Sequence, residues 1–170
     1  MAPGDWRTVE CWRTAWGAQD VLESARVFPD LTSALRSTAL AVGFTRRSVS
    51  GARPLDVREA AEEMASLRAE DDTALVFGPE NSGLTAAELA RCGRRARIPS
   101  HPAQPSFNLS HAVAIALYEA RRAVGRPSAD VPRRATHDEK ERLLALLKEG
   151  LLSVGALPDA NTDGYFRDWT

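Results

Sequence analysis

Cysteine is scarce in this chain. Its two cysteines, Cys11 and Cys92, stand at no metal-ligand spacing and in no nucleophile motif, which argues against a disulfide framework and makes a reducing compartment the default. Charge of one sign is also lacking: 22 Lys and Arg against 23 Asp and Glu leave a net charge of -1. That excludes a wholesale basic nucleic-acid binder but not a local basic face. No apolar run approaches the roughly 18 to 20 residues of a membrane span, and residues 1–7 lack the apolar centre of a signal peptide. A cytoplasmic protein with no membrane partner is therefore expected. The three histidines, His101, His111 and His137, share no helical face and have no acidic or cysteine partner at metal spacing, so no metal is expected. No internal repeat and no Gly-x-Ser-x-Gly elbow occurs.

What is present is the balance of a globular protein, 44% apolar and 26% charged, long enough for one domain with a short appendage. Residues 1–16, with Trp6, Trp12 and Trp16 among polar neighbours, show no period and read as a leader. Short helices follow at 17–28 and 30–37, then a buried strand at 39–43 and a polar loop with Arg46, Arg47 and Arg53. Asp56 and Glu59 form a capping box for a helix to about residue 69, with Ala60, Met64 and Leu67 on one face.

The most informative stretch is Ala74-Leu-Val-Phe-Gly-Pro-Glu-Asn-Ser-Gly-Leu-Thr85, a β-branched and aromatic strand running into a turn-forming loop. Thr85 and Glu88 make a second capping box. Leu84 and Thr85 stand where a phosphate-binding loop needs Lys and Ser or Thr, and without the lysine this is no P-loop. The loop is either a tight turn whose glycines serve its φ angles or a ligand loop at the carboxyl end of a strand. A strand at 94–98 and a loop at 99–106 with Pro99, Pro102 and Pro105 come next. His101 in that loop is either a surface residue or a substrate contact. Asn108 or Ser110 caps a helix to about Val124, with Leu109, Val113, Leu117, Ala120 and Val124 on one stripe. Residues 125–135 are a linker. Thr136 and Glu139 open a helix ended by Gly155, whose Leu143, Leu144, Leu147 and Leu151 need a partner surface on the domain or on a second subunit. Residues 156–170 form a tail. Strands alternating with helices argue a parallel α/β sheet. The arginines fall in groups, Arg46, Arg47 and Arg53 after one strand, Arg91, Arg94, Arg95 and Arg97 around another, and Arg121, Arg122, Arg126, Arg133 and Arg134 near the linker. They are either an ordinary solvated face or, if the first two groups face one side, phosphate contacts that give RNA affinity.

Three segments together resemble a known family: Ala41-Val-Gly-Phe-Thr-Arg-Arg47, the 74–85 stretch, and Ile98-Pro-Ser-His-Pro-Ala-Gln-Pro-Ser-Phe-Asn-Leu-Ser110 with its helix through Glu119. Over about residues 17–122 the chain resembles the SPOUT superfamily, in its SpoU/TrmH class of AdoMet-dependent RNA 2'-O-ribose methyltransferases and, within that class, the TrmJ-like tRNA branch. The resemblance implies an α/β domain over 17–124 with a C-terminal trefoil knot, the helix at 136–155 as a C-terminal extension, and a homodimer. It implies S-adenosyl-L-methionine (AdoMet) held by Thr45, Arg46, Arg47, Gly78, Ile98, Pro105, Ser106 and Phe107. It implies RNA, tRNA above all, met by Arg46, Arg47 and Arg53. Glu80 and Asn108 match the family's acidic and polar loop positions and would support catalysis, and Gly78 would leave room for the cofactor. The family's key catalytic arginine lies in an Asn-x-Gly-x-x-x-Arg-like first motif, and no such segment is found; neither Arg7 nor Arg13 has its surroundings. The alternative expectation is therefore a catalytically impaired AdoMet- or RNA-binding homologue.

Overall fold

The computed structural model describes residues 6–47, 53–104, 106–124 and 132–156. Pro105, most of the expected linker and the tail with Tyr165, Phe166 and Trp169 lie outside them. Contacts divide the chain into two compact units, Met1–Ala34 and Leu35–Thr170.

The first unit contains α1 (Val9–Thr14) and α2 (Gln19–Ser24), and α3 (Leu31–Leu35) runs across its end. The helix α1 falls in the stretch expected to be a leader without regular structure. Thr8 caps it by accepting from the Cys11 amide at 3.2 Å, and none of its residues is buried. A single helical turn or two with no core face has no hydrophobic period to betray it.

The second unit carries β1 (Leu40–Phe44), β2 (Leu55–Asp56), α4 (Val57–Ala65), β3 (Thr73–Val76), α5 (Ala86–Arg91), β4 (Arg94–Arg97), α6 (Leu109–Ala123) and α7 (His137–Ser153). The strands form one sheet in the order β2-β4-β1-β3, every pairing parallel, with Leu40 opposite Thr73, Gly43 opposite Arg95 and Leu55 opposite Ala96. The parallel α/β sheet with flanking helices is thus what forms. All three capping boxes are made, at Asp56/Glu59, Thr85/Glu88 and Thr136/Glu139. Each closes two backbone donors that the first turn of a helix leaves unpaired. The helix α4 stops at Ala65, short of residue 69, with Ser66 as its cap, whose hydroxyl donates to the Glu63 carbonyl at 2.7 Å.

Strand alternation divides the packing. Leu40, Val42 and Phe44 join Val57 and Ala60 of α4, Ala96 of β4 and Ala116 of α6 in one core. On the opposite face, Gly43 lets α5 approach β1: a Cβ there would lie 2.8 Å from Cys92 Sγ and 3.1 Å from Leu89 Cδ2. The expected stripe on α6 needs correction. Ala116 is buried while Leu109, Leu117 and Val124 are exposed, because α4 and α6 meet through small residues, Ala60 and Ala116, rather than through the large ones. The helix α7 is fixed by its first turn: the His137 and Asp138 amides donate to the Thr38 and Arg36 carbonyls at 2.8 and 3.2 Å. Lys140 Nζ reaches the Ala39 carbonyl at 2.9 Å, while Leu143, Leu146 and Leu147 farther along are exposed. Among the described residues no helix is long and apolar enough to cross a membrane.

Candidate functional site

From β1 the chain first forms β2 at one edge, then crosses to place β3 on the far side of β1 and returns to place β4 between β1 and β2. A parallel sheet opens a crevice above such a reversal, beyond the carboxyl ends of its strands. A cleft of about 400 Å³ lies there, walled by the loops after β1, β3 and β4.

The loop after β1 holds Thr45, Arg46 and Arg47. The Thr45 amide extends the ladder to the Ala96 carbonyl at 2.9 Å, and the Thr45 hydroxyl accepts from the Arg47 amide at 3.1 Å, tightening the turn. The Arg47 guanidinium then crosses to the next loop, where Nη2 donates to the Ser82 carbonyl at 2.6 Å.

That second loop, after β3, closes on itself. The Gly83 amide donates to the Pro79 carbonyl at 2.7 Å, Gly83 takes φ +64°, and Leu84, 4% exposed, anchors the end of the loop. Phe77 stacks on Phe44 with ring centroids 4.5 Å apart. Gly78 faces the far side of its own loop: a Cβ there would sit 2.1 Å from Gly83 C and 2.2 Å from Leu84 N. Closure of the turn on its own backbone is thus one reason for glycine at 78, beside the room for a cofactor that the family resemblance implies. The crowding comes from the protein's own backbone.

In the third loop Asn108 caps α6. Its Oδ1 accepts from the Ser110 amide at 2.9 Å and the Ser110 hydroxyl at 2.6 Å. With the oxygen so engaged, Nδ2 is left to donate, and it meets Glu80 Oε1 at 2.6 Å. Glu80 is thereby tied across the cleft to the helix that begins the third loop's exit.

The cleft gathers Thr45, Arg46, Arg47, Gly78, Glu80, Ile98, Ser106, Phe107 and Asn108. Arg53 goes elsewhere, donating to both carboxylate oxygens of Glu59 at 2.8 and 3.0 Å. His101 turns its Nδ1 to the Ala103 amide at 3.2 Å and serves its own loop. Sequence reasoning named Arg97 only within its arginine group, without singling it out, and missed Gln104 as a lining residue and Phe44 and Phe77 as part of the wall. Glu80 is the only acidic side chain among the lining residues, against Arg46, Arg47 and Arg97, so the cleft is electropositive in a chain of net charge -1. Cys92 is no nucleophile here: burial, with the nearby Glu88 charge, pushes its thiol up to about 11, leaving little thiolate at neutral pH. Among the described residues no group of three or more His, Cys, Asp or Glu is placed to hold a metal.

The model of the SpoU rRNA methylase family matches residues 4–118. The chain belongs to that family. The match begins within the Trp-rich stretch, earlier than residue 17, where the sequence resemblance was expected to start. Among relatives of this SpoU methylase chain, the tRNA (cytidine/uridine/adenosine-2'-O-)-methyltransferase TrmJ of Pseudomonas aeruginosa is 37% identical over 158 residues, covering 84% of this chain and 62% of that protein. The tRNA (cytidine/uridine-2'-O-)-methyltransferase TrmJ of Pectobacterium atrosepticum is 35% identical over 154 residues, 86% of this chain and 64% of its own length. The chain thus spans somewhat under two thirds of these relatives. The crystal structure of TrmJ from Z. mobilis superposes with a TM-score of 0.74 at 27% identity, over 95% of this chain and 70% of that one. A putative methylase family protein from Neisseria gonorrhoeae gives 0.74 at 30% identity, over 81% and 65%.

Proposed function

We infer that this chain is an AdoMet-dependent 2'-O-ribose methyltransferase acting on tRNA. One observation carries the reading: every described residue that the family pattern assigns to AdoMet lines a single cleft at the sheet's switch point. The cleft's volume, about 400 Å³, falls within the roughly 300 to 1,000 Å³ of small-molecule sites. Its walls suit such a ligand, with aromatic and aliphatic faces from Phe77, Ile98 and Phe107 beside turn backbone and polar side chains. Thr45, Arg46, Arg47, Gly78, Ile98, Ser106 and Phe107 are the residues that would hold it, with Pro105 assigned by pattern alone.

When bound, AdoMet supplies a methyl group on a sulfonium, open to in-line attack by a ribose hydroxyl. The protein's part is to fix the two reactants, which accounts for much of the acceleration in such displacements, and to take up the hydroxyl proton. Arg47, pinned to Ser82, keeps the first two loops at one separation. Asn108, its amide oriented by the α6 cap, holds Glu80 by one carboxylate oxygen, and Glu80, which lines the cleft, is the acceptor this reading assigns. Arg46 supplies positive charge for an RNA strand. The trefoil knot, the homodimer, a cytoplasmic setting and the division of the chain into a methyltransferase domain to residue 124 and a C-terminal helix belong to the same reading.

The test has two arms. Calorimetry with S-adenosylhomocysteine on folded protein should show one site; no heat would remove the cofactor assignment. Incubation of unfractionated tRNA with methyl-labelled AdoMet should then give alkali-resistant, 2'-O-methylated dinucleotides. Cofactor and tRNA binding without product would move the chain to a binding-only role, in keeping with the missing first-motif arginine.

A further inference from the structure

The strand β4 presents Arg94, Arg95 and Arg97 within four residues, and the structure sorts them. Arg94 lies on the face of buried Ala96, where its Nε donates to Glu63 Oε2 of α4 at 2.9 Å. Arg95 stands opposite Gly43 on the α5 face, and alternation returns Arg97 to that face at the carboxyl end of the strand, where it lines the cleft. The Thr45 amide bonds the Ala96 carbonyl, so Arg97 stands beside the loop that carries Arg46.

The other nearby cations are engaged. Arg47 is held by the Ser82 carbonyl and Arg53 by Glu59. Glu80, the acidic lining side chain, receives Asn108. Arg46 and Arg97 therefore lie at the lip with no carboxylate partner among the described residues, and both are exposed.

We propose that Arg97, with Arg46, forms an anion subsite at the lip of the cleft, and that it takes a phosphodiester of the RNA strand next to the ribose presented to the cleft. The proposal rests on the methyltransferase reading above. A guanidinium offers a planar fork of donors matched to phosphate oxygens. Two such forks on an open rim fit a strand laid across the entrance.

The test compares R97Q, R46Q and R53Q with the unaltered chain. Affinity for unfractionated tRNA is measured by filter binding across a salt series, and affinity for S-adenosylhomocysteine by calorimetry. One lost phosphate contact lowers the magnitude of the log-log salt slope by about one. R97Q and R46Q should each do this, R97Q keeping S-adenosylhomocysteine affinity within about twofold, while R53Q leaves the slope unchanged. An R97Q slope equal to that of the unaltered chain overturns the subsite. So does a loss of S-adenosylhomocysteine affinity without a change of slope, which would assign the anion to the cofactor, and so does an equal fall in R53Q, which would make the effect one of net charge. If R97Q melts early, R97K decides: with its charge kept it should retain the slope, and a lost slope counts against the proposal. If the unaltered chain binds neither ligand, the methyltransferase reading fails. If it binds both and R97Q keeps the slope, only the subsite fails.

Discussion

The two glycines of the loop after β3 serve opposite purposes, and substitution separates them. In G78A the new Cβ would stand 2.1 Å from Gly83 C, where ordinary contact begins at 3.4 Å. The difference, about 1.3 Å, has to come from parting two backbone segments, since no flexible side chain is there to yield. Parting them stretches the Gly83-to-Pro79 bond of 2.7 Å and the Arg47-to-Ser82 bond of 2.6 Å. Overpacking of this kind costs about 1 to 3 kcal/mol, and each weakened hydrogen bond adds about 1 kcal/mol, so a loss near 3 kcal/mol is expected. For a chain of this size that lowers the melting temperature by about 6 to 12 °C. S-adenosylhomocysteine affinity should fall with it, because the displaced loop is a wall of the cleft. At Gly83 nothing lies within 4 Å of an added Cβ, but φ is +64°; G83N should therefore cost only a few tenths of a kcal/mol, asparagine being tolerant of the left-handed region. Thermal melts and calorimetry on both variants check this. If G78A lost the ligand while melting like the unaltered chain, the glycine would be there for the ligand and the loop-closure argument would be wrong.

Three further outcomes follow from other contacts. G43A should lose about 1 to 3 kcal/mol by pushing Cys92 Sγ, only 2.8 Å from the new Cβ, and C92A added to it should restore part of that; strictly additive losses in chemical denaturation would refute the contact. Glu59, Glu88 and Glu139 all have carboxyl groups held below the ordinary value of 4.5, chiefly by the backbone amides of Asp56, Thr85 and Thr136 that their caps satisfy. A folded value below the unfolded one means that this stability is fully present above pH 4.5 and is lost as pH falls toward the lowered values. The triple variant E59Q/E88Q/E139Q keeps a cap acceptor without the titration, so its melting temperature should fall less between pH 5 and pH 3; parallel curves would refute the linkage. Asn108 does two jobs that N108S separates, since serine can still cap α6 but cannot reach Glu80. N108S should keep the melting temperature within about 2 °C and lower kcat for tRNA methylation, whereas N108A should lose about 1 kcal/mol of stability as well; unchanged kcat in N108S would remove Glu80 and its partner from the chemistry.

Local chemistry was legible in the sequence and distance was not. The capping boxes need only a hydroxyl or carboxylate and a glutamate three residues apart, and all three stand where that spacing put them. The strands β1 and β3 announced themselves by β-branched and apolar runs, whereas the two-residue β2 fell in a stretch read as loop and helix start, and Asn108 was one of two candidates, with Ser110, to cap an apolar helix. The facing of α6 was not legible. A stripe ranked by hydrophobicity selects leucines, while the closest helix contact, with α4, selects alanines such as Ala116, and a single helix gives no sign of how near its neighbour comes. The helix α1 escaped because it buries nothing.

The cleft divides along the same line. Its backbone-built parts, the turns around Gly78, Gly83 and Thr45, are constrained by residues close in sequence, so a motif reveals them. Its side-chain parts depend on register. Arg53, Arg94 and Arg97 are equal as arginines on the page, and only the pairing of β4 with β1 sends Arg94 to Glu63 and Arg97 to the cleft. A one-residue slip would exchange them. The ligand contacts that a family pattern reports most surely are thus those made by loops, and the contacts that choose among substrates rest on strand order, which no local pattern carries.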